Sequence, residues 1–449
     1  MSWVCRYQRR MFLRSSLCFV PIACMAAALL AAPLIRWVDD QTRWSLMGFG
    51  PEGARAVLGA LASSLLTFIV FAFSIILLAV QIAGGQLSPR IIARVFESRL
   101  TKLTLGAFVF SYAYSMAALG RVEDRVPQLP VLLAVLLSLF SIALFLYLIQ
   151  EASQSFRPVM ILTRVANDTR RVIEAIYPGR FSPQGGEHAG PDLDPTPAGR
   201  TIEHRGRSGV VLAFDVAGAV EIATRAGCAI ELVPQVGDFL APGEDVFRLH
   251  GAGAGGVEEG GLRRCVALGP ERALEKDPAF GFRIIVDIAS KALSPAINDP
   301  TTGVLAIDQL HHLLHLLGRR QLDTGVVRDA SGAVRLVYRT SCWEDFVTLA
   351  VTEIRLFGAG SPQVTRRLQV MFEQLVQVVP AERSGALRKE MALLRRTIDR
   401  GFADPEDRIL AGVGDLQGFG SRQHIGDPGK PRTPGTRDCG AGERRSNDG

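Results

Sequence analysis

Apolar and polar positions divide this chain into two unlike parts. Up to residue 150 the apolar residues come in long blocks, roughly 17 to 35, 57 to 83, 103 to 119 and 129 to 149, and no block contains an Asp, Glu, Lys, Arg or His. A helix needs about 20 apolar residues to cross a hydrocarbon core, so the pattern predicts four membrane spans within residues 1–150. The third block is the weakest and the second runs long. Beyond residue 206 the apolar runs are short and bounded by turn residues, and from about 270 they recur with a helical period.

The join between the parts, residues 151–206, reads as a connecting helix followed by a flexible linker, because 179 to 206 is rich in Gly, Pro and Asp. In residues 207–265, "GVVLAFDV", "CAIELVPQV" and the end of "GDFLAPGEDVFRLH" read as strands, with "GAVEIATRAG" as a short helix ended by Gly227. This is a small β-rich module. A helical domain at 266–412 follows, opened by Asp277 and Pro278 as cap and first turn, with Phe282, Ile285, Ile288, Ala289 and Ala292 as an apolar stripe. Three further helices are predicted at roughly 344 to 357, 361 to 379 and 383 to 401. Residues 413–449 have almost no apolar content and read as a disordered tail. The fold class is therefore an integral membrane α-helical bundle of four N-terminal spans with an α+β region behind it.

Charge sets the orientation. Arg6, Arg9, Arg10 and Arg14 precede the first span, Arg90, Arg94, Arg99 and Lys102 lie between the second and third, and Arg157, Arg164, Arg170 and Arg171 follow the fourth. The opposite side has Arg36, Arg43, Arg55, Arg121 and Arg125. Basic loops stay cytoplasmic, so both termini and the α+β region are expected in the cytoplasm. A competing reading makes residues 1 to 32 a cleaved signal peptide, with "AAALLAA" as the small-residue site. It leaves the C-terminal region on the same side. Between the second and third spans, "QLSPRIIARVFESRL" reads as a short interfacial helix, with Ile91, Ile92, Val95 and Phe96 on one side.

Composition narrows the function more than it names it. The 449 residues are 48% hydrophobic with a formal charge of +6, and no basic and aromatic interleaving marks a nucleic-acid groove. The seven cysteines are scattered without C-x-x-C spacing and read as reduced thiols. Spans free of ionisable groups argue against a proton-coupled pump. In the second span, Gly59, Ser63, Thr67 and Ser74 recur at helical spacing. The plain reading is close helix packing, and the sharper one is the lining of a homo-oligomeric pore.

Two clusters are candidates for chemistry. In "KALSPAINDPTTGVLAIDQL", residues 291–310, Pro295 ends one helix, Asp299 caps the next and Pro300 suits its first position. A rigid helix-turn-helix joint explains most of the run. A binding site at Asp287, Ser294, Asn298 and Asp299 is the functional alternative, and it would take a cation or hydroxyl-bearing group, because the Asp299 carboxylate repels phosphate. On the following helix, Ala306, Ile307, Leu313, Leu314 and Leu317 share a face with Leu310. Asp308, His311, His312 and His315 lie on the far side. Asp308, His311 and His315 have a spacing that metal ligands use, but no further Cys or Glu has recognisable spacing, which favours a solvated polar face and no metal or other cofactor.

Three runs, "QLSPRI", "DPAFGFRIIVDIASKALSPAINDPTTGVLAIDQL" and "WEDFVTLAVTEIRLFGAGSPQVTRRL", resemble the predicted bacterial membrane proteins grouped as domain-of-unknown-function family 2254. The resemblance covers about residues 15 to 410. It implies an N-terminal four-helix membrane region, a cytoplasmic domain and the bacterial inner membrane, but no reaction. His311, His312 and His315 lie outside its pattern. The strand-"GD"-"PG"-strand rhythm is also similar to biotinyl and lipoyl carrier domains, in shape alone, since no lysine lies between Lys102 and Lys276 to carry a cofactor. With no G-x-S-x-G, P-loop, H-E-x-x-H or dinucleotide turn, the expected role is non-enzymatic: sensing, binding or scaffolding, in a homo-oligomer. The alternatives are an oligomeric channel or transporter gated by its cytoplasmic domain, and a membrane-bound enzyme with a site near Asp287 and Asn298.

Overall fold

A computed structural model describes residues 3, 6–7, 18–42, 50–86, 99–122, 128–155, 157–183 and 199–415. The expected interfacial helix after the second span and the expected disordered tail lie outside or almost wholly outside these residues.

Four helices form the N-terminal bundle: α1 (Phe19–Thr42), α2 (Pro51–Gln86), α3 (Arg99–Leu119) and α4 (Gln128–Ser155). Three contain stretches long and apolar enough to cross a membrane, Phe19–Gln41, Pro51–Leu78 and Gln128–Glu151. The third block of the sequence, now α3, is not among them, and its place in the bundle gives the reason. It packs against all three neighbours, so residues such as Ser111, Tyr114 and Ser115 are at most 1% exposed. The Ser111 and Ser141 hydroxyls pair at 2.9 Å between α3 and α4. A helix enclosed by protein does not need a wholly apolar surface, because neighbouring helices satisfy its hydroxyls.

Within the chain, the small and hydroxyl residues of the second span do not form the packing seam of α2. α2 turns Ala54, Leu58, Ala62, Leu65 and Ala72 toward its neighbours. Ser63, Thr67 and Ser74 face outward, with the Thr67 hydroxyl donating to the Ser63 carbonyl at 3.1 Å and the Ser74 hydroxyl to Val70 at 3.0 Å. At one end of the bundle, Arg36 and Arg55 donate to the carbonyls of Arg121 and Val122 just past α3, at 3.3 and 2.8 Å. Asp39 accepts from the Leu129 amide at 2.9 Å. Basic groups satisfy a helix C-terminus and a carboxylate satisfies an N-terminus, as the exposed carbonyls and amides require.

α5 (Pro158–Ile176) leads directly from α4 into the second half. A β region follows: β1 (Arg200–Glu203), β2 (Gly209–Phe214), α6 (Val216–Ala226), β3 (Ala229–Leu232), β4 (Phe239–Leu240), β5 (Asp245–His250), α7 (Glu259–Arg263) and β6 (Val266–Gly269). Later come α8 (Pro278–Ala292), α9 (Pro300–Leu317), β7 (Val326–Arg328), β8 (Val334–Tyr338), α10 (Trp343–Phe357), α11 (Pro362–Val378), α12 (Ser384–Gly401) and α13 (Pro405–Gly412). The strands form a five-stranded sheet in the order β1-β5-β3-β8-β7 and a three-stranded sheet in the order β4-β2-β6. The only parallel pair among them is β3 with β8, where Ile230 aligns with Leu336 and Leu232 with Tyr338. The larger sheet thus takes β1 from the stretch that reads as linker and β7 and β8 from the stretch that reads as helical. Those strands are short, and their partners lie far away in sequence, so no local pattern announces them.

The helical core joins α5 to α8–α13 through residues such as Leu162, Phe282, Leu310, Phe346 and Phe372. α5 and α8 approach closely, and a Cβ on Gly281 would lie 2.0 Å from the Thr169 hydroxyl.

Candidate functional site

The joint between α8 and α9 satisfies its own backbone. Ser294 donates its hydroxyl to the Lys291 carbonyl at 2.6 Å. The amide of Asn298 reaches Ser294 and that of Asp299 reaches Ala292, both at 2.8 Å. Asn298 has φ 49°, the one positive value at a non-glycine among the described residues, and Asn is the side chain best suited to that left-handed turn. Asp299 caps α9 by accepting from Thr302. Asp287 sits apart, holding Arg283 Nε at 2.9 Å while the same guanidinium grips Glu353 at 2.5 and 3.2 Å. Ser294, Asn298 and Asp299 thus build the turn and the cap, while Asp287 belongs to an ion-pair network with Arg283.

Asp308 and His311 do come together, around a cation that belongs to the chain. Arg367, 5% exposed, donates from Nε to Asp308 at 2.6 Å and from Nη2 to His311 Nδ1 at 3.0 Å. Arginine has no acceptor, so His311 must accept with a lone pair, and burial, then Arg367, push its pKa down to about 4. A guanidinium occupies the ground a metal ion would need. No group of three or more potential ligands occurs among the described residues.

A cavity of about 760 Å³ lies elsewhere, at the carboxyl ends of the parallel pair β3 and β8. Leu232 and Tyr338, the last residues of those strands, line it, with Phe214 at the end of β2, Asp215 and Ile176 at the end of α5. In open parallel α/β sheets, ligands bind outside the carboxyl ends of the strands, and this cavity holds the same position relative to the one parallel pair. The Tyr338 hydroxyl donates to Asp323, which also accepts from the Gly325 amide at 3.0 Å. Burial and Asp323 push the phenol well above its ordinary pKa, so it remains a neutral donor. Asp215 caps α6 through the Gly218 amide at 3.1 Å. Next to Lys276 in the chain, Asp277 is buried against Arg272 at 2.6 Å and caps Phe280, and burial holds its carboxyl above the usual range.

Trp3 and Tyr7, from ahead of the first membrane helix, stack at 5.4 Å and complete one wall. Burial, then Glu275, push the Tyr7 hydroxyl up to about 12. The lining contains no Ser, Thr, Cys or His. Carboxylates and a phenol line the cavity, with Glu275, Lys276 and Arg339 exposed.

Residues 14–374 match the family described as "Predicted membrane protein (DUF2254)". The chain belongs to that family. Uncharacterized proteins of Mycobacterium tuberculosis and Mycobacterium bovis are each 28% identical to it over 373 residues, covering 80% of this chain and 71% of the relative. No solved structure matches. The DUF2254 match takes in the N-terminal bundle, the α8–α9 joint and the cavity wall apart from Trp3 and Tyr7. Sequence reading missed the cavity because its residues come from seven separate stretches of the chain. The one local signal was "FDV", a strand end followed by a helix cap at Asp215.

Proposed function

We propose that this protein crosses the bacterial inner membrane four times, keeps both termini in the cytoplasm, and binds a small molecule in the cavity between its β region and helical core. It is a sensing or binding protein rather than an enzyme. The fourth crossing is α3, whose 21 residues match a bilayer core in length and whose polar side chains are sheltered by the other three helices. The observation that carries the functional reading is the composition of the cavity wall. Trp3 and Tyr7 precede the first span, Ile176 ends the helix that continues from the last span, and Leu232 and Tyr338 belong to the sheet. A ligand there would touch the segments leading into both ends of the membrane bundle.

Reporter fusions at residues 45, 95, 125 and 200 should read outside, inside, outside, inside, and an outside signal at 200 overturns the topology. Thermal shift of the full-length protein in detergent against a metabolite panel should yield a stabilising compound. That shift should be lost in Asp323→Asn and kept in Asp308→Asn. A stabiliser indifferent to Asp323 places binding elsewhere. The outward Ser63, Thr67 and Ser74 face of α2 supports a homo-oligomer as a second element of this reading.

A further inference from the structure

The exposed apolar residues of the second half are gathered at one end of the helical core. Helix α4 ends at Ser155 and α5 begins at Pro158, so the first turn of α5 is the end nearest the membrane. Its far end is tied to three other helix ends. The Tyr177 carbonyl accepts from Arg320, just past α9, at 3.1 Å. Arg383, just before α12, lies over the rings of Phe181 and Trp343 at 4.6 and 5.6 Å, and the Trp343 indole donates to its carbonyl at 2.8 Å. The start of α9 and the ends of α10 and α12 must therefore share the membrane-proximal end. Contacts there agree: Arg355 donates to Thr397 at 3.1 Å, and a Cβ on Gly401 would meet the Ala359 carbonyl at 2.9 Å.

Eight large apolar side chains are exposed in the described residues after 157, and six of them lie at this end. Val159 and Met160 open α5, Ile297 sits at the tip of the α8–α9 joint, Leu356 and Phe357 close α10, and Ile409 is on α13, whose Leu410 carbonyl holds Arg366 at 2.6 Å near the start of α11. Phe357 is 53% and Ile409 66% exposed. Beside them, the outer face of α12 carries Arg395, Arg396 and Arg400 against one acid, Asp399. Among the described residues, no ion pair engages these three arginines.

We propose that this end of the helical core rests on the bilayer surface. Ile297, Leu356, Phe357 and Ile409 sit at the boundary of headgroup and acyl chain, and Arg396 and Arg400 pair with anionic phospholipid headgroups. An apolar fringe beside a basic face is what interfacial binding requires, and the short α4–α5 connection holds the surface close enough to use it. The "PAIN" tip of the joint then has a role beyond turning the chain. The proposal rests on α4 crossing the membrane and is independent of the ligand cavity.

The test uses full-length protein with Cys5, Cys18, Cys24, Cys342 and Cys439 replaced by Ser, reconstituted in nanodiscs. An environment-sensitive fluorophore is placed at Ile297→Cys or Phe357→Cys, with Val378→Cys, near the opposite end, as control. In discs containing phosphatidylglycerol, nitroxide-labelled lipid should quench positions 297 and 357 roughly twofold more than 378. The difference should shrink in phosphatidylcholine discs, in high salt and in Arg396→Glu/Arg400→Glu. Equal quenching at all three positions overturns the proposal. So does a buried signal at 297 and 357 that persists in detergent without lipid quenching, which would mean that protein, from this chain or a second copy, covers the surface.

Discussion

Asp299 fastens the start of α9 by giving both carboxylate oxygens to Thr302: Oδ1 accepts its amide at 3.1 Å and Oδ2 its hydroxyl at 2.5 Å. Pro300 at the first helical position loses no hydrogen bond, because the amide it lacks would have had no partner. Asp299→Ala should cost about 1 kcal/mol of stability, and Asp299→Asn should retain most of it, measured by denaturant melts in detergent. If Asp299→Asn keeps stability but abolishes a cellular phenotype, the joint has a function beyond its cap.

Gly281 is where α8 meets the helix coming from the membrane. Its missing side chain leaves room for Thr169, whose hydroxyl donates to the Val165 carbonyl at 2.7 Å. Gly281→Ala should destabilise by about 1–3 kcal/mol through overpacking. Thr169→Ala should recover part of that loss, since the Thr169 Cβ itself would remain 2.8 Å away. A double-mutant cycle without coupling would refute the contact.

His311 should make stability fall with acid. Its folded pKa of about 4 lies below the ordinary 6.5, so the unfolded chain takes up the proton first. The contribution is therefore complete above about pH 6.5 and is lost as pH falls toward 4. His311→Gln keeps an acceptor for Arg367 and cannot titrate. The difference between wild-type and variant melts should change by on the order of 1 kcal/mol across that window, solvent screening of a half-buried ring being allowed for. A flat difference would contradict the neutral His311.

Ser63 faces away from the other helices of its own chain. Ser63→Leu should therefore alter the melting of the monomer fold by less than about 0.5 kcal/mol while disrupting assembly, as read by native mass spectrometry in detergent. Unchanged stoichiometry would move the subunit contact to another face.

What the sequence by itself determined is what local chemistry decides. Asp277 and Pro278 opened α8, Asp299 and Pro300 opened α9, and the stripe around Leu310 identified the buried face, because caps and helical periods act within one or two turns. Long apolar blocks identified the bundle for the same reason. The tertiary structure alone decided which face of α2 turns inward, since Ala62 and Ser63 stand in a block where nearly every position is apolar or small and no period separates core from lipid. It alone paired Ile230 with Leu336 and so placed the cavity, because strand pairing across a hundred residues depends on the packed whole. It also set Arg367 between Asp308 and His311, for a side chain on α11 reaches α9 only once both helices share a core.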